Sequence, residues 1–242
     1  MNALLEVKDL HKSFGGLRAV SGLSFTVRPG EVLGLLGPNG SGKTTALNLV
    51  SGALAAGVGS IRLDGKRIDG LAAHRIAHAG VARTFQLVRV LPGMSCIENV
   101  QVAMAFRREP SFGASSTQET TEHLERVGLS ARAHVLAGEL TYIDQKRLEL
   151  ARALALRPRL LLLDEWLAGL NPTELQQGIG LIAALRAGGL TVVLVEHVMD
   201  AVRALCDRCV VMSAGACLAE GPTASVLSDP AVVDVYLGRA HA

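Results

Sequence analysis

Apolar residues fall into two patterns along the chain, and the difference predicts two kinds of strand. Near the start, Leu4-Leu5-Glu6-Val7-Lys8 and Leu23-Ser24-Phe25-Thr26-Val27 partly alternate apolar with polar side chains, as half-buried strands do. Residues 60–63, closed by Asp64-Gly65, read as a further strand ending in a turn. These predict an antiparallel sheet at the front of the molecule. Residues 32–36, 160–163 and 191–195 are instead short and nearly all apolar, which fits parallel strands covered on both faces. Helical patterns lie between them at 44–51, 145–155 and 173–187. Alternating strand and helix predicts an α/β body with a mainly parallel sheet.

Residues 87–157 carry no strong strand run and read as mostly helical. The simplest architecture is one domain, with an α/β core at 1–86 and 158–242 and a helical insertion at 87–157. Residues 107–121 are polar and rich in Ser, Thr, Pro and Gly, which predicts a mobile loop. At 242 residues, 49% of them hydrophobic, the chain is long enough to bury a sizeable core and too apolar for a disordered tail. Its formal charge of +2 gives no basic face for nucleic acid, and an aromatic content of 3% leaves little for stacking on single strands. The first ten residues include Glu6, Lys8 and Asp9 where a secretory signal would be apolar. The longest uncharged run, 44–61, holds Asn48, Ser51, Ser60 and three glycines, so it is no bilayer span. The expectation is a cytoplasmic chain that docks to a membrane rather than crossing it. Cys96, Cys206, Cys209 and Cys217 are too few for a disulfide scaffold; the C-x-x-C pair 206/209 has no second pair to complete a zinc site, so buried or bystander thiols are expected.

Gly37-Pro38-Asn39-Gly40-Ser41-Gly42-Lys43-Thr44-Thr45 fits G-x-x-x-x-G-K-[ST], between an apolar strand and a helical pattern. Glycines let backbone N–H groups turn toward phosphate oxygens, and the following helix adds its partial positive charge. Lys43 is placed to reach the β- and γ-phosphates, and Thr44 to put its hydroxyl on Mg2+. A second anchor is Leu160-Leu161-Leu162-Leu163-Asp164-Glu165. It sets Asp164 at the carboxyl edge of a buried strand, where it can bind Mg2+, and Glu165 beside it as a general base for attacking water. Gln86 and His197 close two further strand-like segments, so four parts of the chain deliver polar groups to one sheet edge, where ligands of open α/β sheets bind.

In this order the residues resemble an ABC transporter ATPase subunit over essentially the whole chain. The resemblance implies a P-loop ABC ATPase fold with an N-terminal antiparallel β subdomain and an inserted helical subdomain. It implies that Phe14 stacks on adenine, that Gln86 senses metal and transporter, and that Leu140-Thr141-Tyr142-Ile143-Asp144-Gln145 is the signature segment. Ala168-Gly169-Leu170-Asn171 and His197 complete the set. It also implies ATP and Mg2+ as cofactors, with a head-to-tail pair of ATPase subunits, identical or different. Each ATP then lies between one subunit's phosphate loop and the other's signature. Membrane permease subunits are implied as direct partners, an external solute-binding protein as an indirect one, and the cytoplasmic membrane face as the location. A groove beside Gln86, lined by Val88, Val90, Leu91 and Met94, is expected to receive a permease helix.

Residues 81–86 (Val-Ala-Arg-Thr-Phe-Gln), 168–174, 195–200 and the ending Val235-Tyr236-Leu237-Gly238 are similar to the ATPases of branched-chain amino acid importers. Importers of urea, amides or other small organic solutes share much of this pattern. Two departures stand out. The signature usually reads Leu-Ser-Gly-Gly-Gln or Leu-Ser-Tyr-Gly-Gln; here Thr141 keeps a hydroxyl for a γ-phosphate oxygen, Ile143 replaces a glycine, and Asp144 is expected to bring negative charge toward a polyanion. Because the sites are composite, that change weakens the site holding the partner's phosphate loop. Trp166, the only tryptophan, stands where proline usually follows Asp-Glu; it reads as loop packing or as altered coupling, in which case Trp166→Pro is expected to raise turnover. Three other classes compete. A small-molecule P-loop kinase needs an Arg-rich lid, and 107–121 has only Arg107 and Arg108. A ribosome- or DNA-acting ABC protein usually has tandem domains or basic arms. A nucleotide-binding regulator without turnover is the third.

Overall fold

The computed structural model describes residues 3–236; Leu237 and Gly238 of the C-terminal motif lie outside them. Strands β1 (Leu5–Phe14), β2 (Leu17–Val27), β3 (Val32–Leu36), β4 (Val58–Leu63), β5 (Lys66–Arg67), β6 (Val81–Arg83), β7 (Leu160–Asp164), β8 (Thr191–Val195), β9 (Arg208–Ser213) and β10 (Ala216–Pro222) form two sheets. The first, ordered β2-β1-β4-β5, is antiparallel, as the alternating segments predict. The second, ordered β10-β9-β3-β8-β7-β6, is parallel except for the edge strand β10.

The apolar runs now have a reason. Along β3, Val32 and Leu36 enter one core and Leu33 and Leu35 the other; Leu161 and Leu163 separate from Leu160 and Leu162 in the same way. One core lies between the two sheets and includes α1 (Lys43–Val50). The other packs the parallel sheet against α3 (Cys96–Ala105), α4 (Ala114–Arg126), α5 (Tyr142–Ala155), α6 (Pro172–Ala187) and α7 (Met199–Leu205). The short helices α2 (Ala73–Ala79), α8 (Thr223–Leu227) and α9 (Pro230–Tyr236) complete the order. Helices α3, α4 and α5 all fall between β6 and β7. Capping boxes start α3 (Ser95 with Glu98) and α6 (Asn171 with Glu174, Pro172 following), so these boundaries are written locally.

Two expectations need correction. The polar stretch 107–121 is not one loop, because α4 begins at Ala114. Its hydroxyls fold back on the helix, with Thr120 Oγ1 donating to the Ser116 carbonyl at 2.6 Å, while Arg107 is buried and donates to both carboxylate oxygens of Glu119 at 2.6 and 2.9 Å. The strand read at 81–86 stops at Arg83, where the chain is drawn off the sheet edge: Glu149 of α5 accepts the N–H groups of Phe85 (3.4 Å) and Arg89 (2.9 Å). Three cysteines, Cys96, Cys206 and Cys209, are buried, and Cys217 is exposed.

Candidate nucleotide site

Residues 37–42 connect β3 to α1, and two of their glycines are required by space as well as angle. Gly37 has φ +141°, and a Cβ there would lie 2.2 Å from the Met212 carbonyl oxygen. Gly42 has φ +102°, and a Cβ would meet the Ala19 carbonyl oxygen at 2.3 Å. The loop is therefore pressed between β9 and β2, with Asn39 and Gly40 exposed at its tip and Pro38 half-buried. Lys43 is buried and its Nζ donates to the carbonyls of Gly37 (2.7 Å) and Pro38 (2.9 Å), spanning the loop from inside. Burial lowers its pKa, while the nearby charges of Glu165 and Asp164 act to raise it. Thr44 is exposed at the first turn of α1 and Thr45 is half-buried behind it; Ser41 Oγ is buried with no hydrogen-bond partner.

Asp164 ends β7 beneath this loop. Its Oδ2 accepts from Arg83 Nη2 at 2.6 Å, and its Oδ1 is buried with no partner. Arg83 also donates to Asn48 Oδ1 of α1 at 2.5 Å, so it ties the β7 carboxylate to the helix behind the phosphate loop. Glu165 turns sharply, with φ +50°, and its carboxylate is the meeting point of the segments that follow β6 and β8. Gln86 Nε2 donates to Oε2 at 2.6 Å, and His197 Nε2 lies 2.8 Å from Oε1. His197 is aligned from behind by Glu196, which is fully buried and accepts the N–H groups of Leu167 (2.6 Å) and His197 (3.3 Å).

Lys43, Gln86, Asp164, Glu165 and His197 thus converge on one edge of the parallel sheet, where sequence spacing put them. Phe14 and Thr141 do not join them within this chain. Phe14 is 46% exposed at the end of β1, with Lys12 Nζ 5.5 Å from its ring centre. Thr141 is the N-cap of α5. Its hydroxyl donates to Asp144 Oδ2 at 2.9 Å and accepts the Asp144 N–H at 3.4 Å. Asp144 is buried between Arg132 (2.9 Å) and Arg147 (3.3 Å), so the expectation of a negative charge presented at the signature is corrected: two guanidiniums neutralise it. The groove beside Gln86 is also redrawn. Val90 packs against the core, while a cavity of about 370 Å3 is lined by Arg83, Phe85, Arg89, Val102, Phe106 and Arg152 among others. Phe106 is the exposed apolar residue of its lining, and Leu87 and Met94 are exposed elsewhere in residues 87–106.

Sequence reasoning passed over two residues of this site. Arg83 appeared only as part of a family-like segment; the signal was a cation placed one strand away from Asp164, in register with Leu162. Tyr236 accepts the Gly37 N–H on its hydroxyl at 2.8 Å, across 199 residues, and no local pattern announces that contact.

Known proteins resemble this chain along nearly its whole length. A family model described as ABC transporter matches residues 20–168, and one described as branched-chain amino acid ATP-binding cassette transporter matches 216–242. The chain is 43% identical to the high-affinity branched-chain amino acid transport ATP-binding protein BraF of Pseudomonas aeruginosa, with 98% of each chain covered. It is 39% identical to LivG of Escherichia coli K12, a protein described in the same words, again with 98% of each covered. A solved ATP-binding cassette of an ABC transporter in its ADP conformation superposes with a TM-score of 0.90 at 31% identity, covering 98% of this chain and all of that one. The chain belongs to the ABC transporter family, as one of its ATP-binding and ATP-hydrolysing subunits.

Proposed function

We propose that this subunit powers an importer of branched-chain or related amino acids, working as one of a head-to-tail pair on the cytoplasmic face of a permease. The substrate class rests on the descriptions of BraF and LivG and on the C-terminal family match. Among the described residues no helix is long and apolar enough to cross a membrane, and in this reading the pathway belongs to other subunits. The cavity that Phe85, Val102 and the exposed Phe106 line, with the exposed Leu87 next in sequence to Gln86, gives a permease helix a surface to dock on.

The observation that carries the catalytic reading is the seat of Glu165 between Gln86 and His197, next to Asp164. Glu165 takes a proton from the attacking water onto its carboxylate. His197 stabilises the charge that follows, and Gln86 links this pair to the surface where the permease docks. Lys43 and the N–H groups at the start of α1 hold the phosphates. The oxygen donors Thr44 and Asp164, with Gln86 close by, suit a hard cation, and the unpartnered Oδ1 of Asp164 supports that fit. These residues would hold Mg2+, which supplies positive charge to the β- and γ-phosphates. Phe14 is the proposed adenine contact, and Thr141 contributes across the dimer to the partner's phosphates.

Glu165→Gln tests this reading. The variant is expected to bind ATP as the parent chain does and to hydrolyse it roughly 100- to 10,000-fold more slowly, the span of general-base catalysis. Parent-like turnover removes Glu165 as the base.

A further inference from the structure

Lys146 lies on the signature helix α5, yet it is 2% exposed and points into the core. Its ammonium donates to three main-chain carbonyls of the segment that follows β7: Trp166 at 2.8 Å, Ala168 at 3.1 Å and Glu165 at 3.3 Å. The contact is reciprocal, because the indole N–H of Trp166 donates to the main-chain carbonyl of Lys146 at 3.2 Å. Trp166 is itself 1% exposed and wedged against α6, where a Cβ added to Gly178 would lie 3.2 Å from its ring. Two buried side chains from different parts of the fold therefore bind each other's backbone.

Where this contact falls gives it meaning. Glu165 sits at φ +50°, a left-handed angle that costs a non-glycine residue of order 1 kcal/mol and persists only when its surroundings enforce it. Its N–H is held by the Val195 carbonyl at 2.9 Å, and its carbonyl by the Ala168 N–H at 3.1 Å and by Lys146. Burial works against the Lys146 charge, while Glu196, Glu149 and Glu165 favour it. A cation kept at that cost, with three carbonyls for partners, is poorly explained by packing alone.

We propose that Lys146 and Trp166 form a clasp that positions Glu165, so that displacement of the signature helix reaches the base through main-chain hydrogen bonds. Both are positioning residues, since neither touches the reacting atoms. The proposal rests on Glu165 being the base.

The test uses the full-length chain, alone and in the assembled transporter, with Lys146→Met, Lys146→Arg and Trp166→Phe compared beside Glu165→Gln. Trp166→Phe keeps most of the ring and deletes the N–H. Lys146→Met is expected to lower kcat about 10- to 100-fold, because angstrom-scale misplacement of a reacting group has that effect. KM for ATP should change less than about twofold, Lys146→Arg should recover part of the loss, and Trp166→Phe should lose about threefold on the same side of the kcat–KM split. Combining Lys146→Met with Glu165→Gln should cost nothing beyond Glu165→Gln. A parallel fall in nucleotide affinity and kcat, or full additivity in the double variant, means a structural role and overturns the clasp. If Lys146→Met does not fold, Trp166→Phe decides: parent-like kcat there overturns the proposal. Parent-like turnover in Glu165→Gln removes the base reading and the clasp with it. An inactive Glu165→Gln beside an unaffected Lys146→Met removes the clasp alone.

Discussion

In the proposed head-to-tail pair the phosphate-loop edge and the signature segment both face phosphate, yet this chain finishes them differently. At the first, polar atoms are left open: Ser41 Oγ and Asp164 Oδ1 are buried without partners, and Thr44 is exposed at a helix start. At the second, the polar atoms satisfy one another. Thr141 donates to Asp144, and Asp144 is closed off by Arg132 and Arg147. Unsatisfied buried groups cost free energy and persist where a ligand completes them, whereas a self-satisfied cluster has less to offer one. This contrast supports the proposal that the chain binds and hydrolyses ATP at its own loop and contributes the weaker half of its partner's site.

The largest expected effect is at the open edge. Arg83→Ala strips a buried partner from Asp164 and should destabilise the protein by about 3–5 kcal/mol, lowering Tm by roughly 10 °C in thermal melts. Repairing the closed side should have a smaller and opposite effect. Ile143→Gly with Asp144→Gln frees the Thr141 hydroxyl and removes the β-branched side chain, and should raise turnover of the homodimer several-fold; unchanged turnover would show that the signature does not limit it. Trp166→Pro, expected from family resemblance to raise activity, should lower it instead, because the ring is core packing and its N–H holds Lys146. Tyr236→Phe removes one hydroxyl from Gly37 and should weaken nucleotide binding by about 1 kcal/mol or less, measured by titration with a fluorescent ATP analogue.

Away from both regions, Glu119 supplies a control. Hydrogen bonds from Arg107 lower its pKa from 4.5 to about 2, with Arg157 adding to the effect. A carboxylate with a depressed pKa stabilises the fold above its unfolded value and loses that contribution as pH falls through the folded one. The parent chain should therefore lose stability between about pH 4.5 and 2 relative to Glu119→Gln, with no matching change in nucleotide affinity at neutral pH.

The phosphate loop, Asp164-Glu165 and the three buried strands were legible because each is local: spacing and apolar runs are written in consecutive residues. Gln86 and His197 were legible through topology, since parallel strands share one carboxyl edge. What escaped depends on distant pairing. Arg83 meets Asp164 across 81 positions, and Tyr236 reaches Gly37 across 199. The charge at Asp144 was misjudged because Arg132, in another turn, neutralises it. The start of helix α4 is not legible in composition, because its Ser and Thr hydroxyls bond back to their own helix, a use of polar residues that composition does not distinguish from solvation. Strands β9 and β10 carry one local signal, the tight turn between them at Ala214-Gly215, both at positive φ.

In this proposal hydrolysis belongs to this chain's own loop. The most direct measurement is steady-state ATPase activity of the assembled transporter with Glu165→Gln in this subunit, beside the same substitution at the equivalent carboxylate of a different partner ATPase. Near-complete loss is expected from the first and a minor loss from the second. Equal losses, or a larger loss from the partner's substitution, would contradict it.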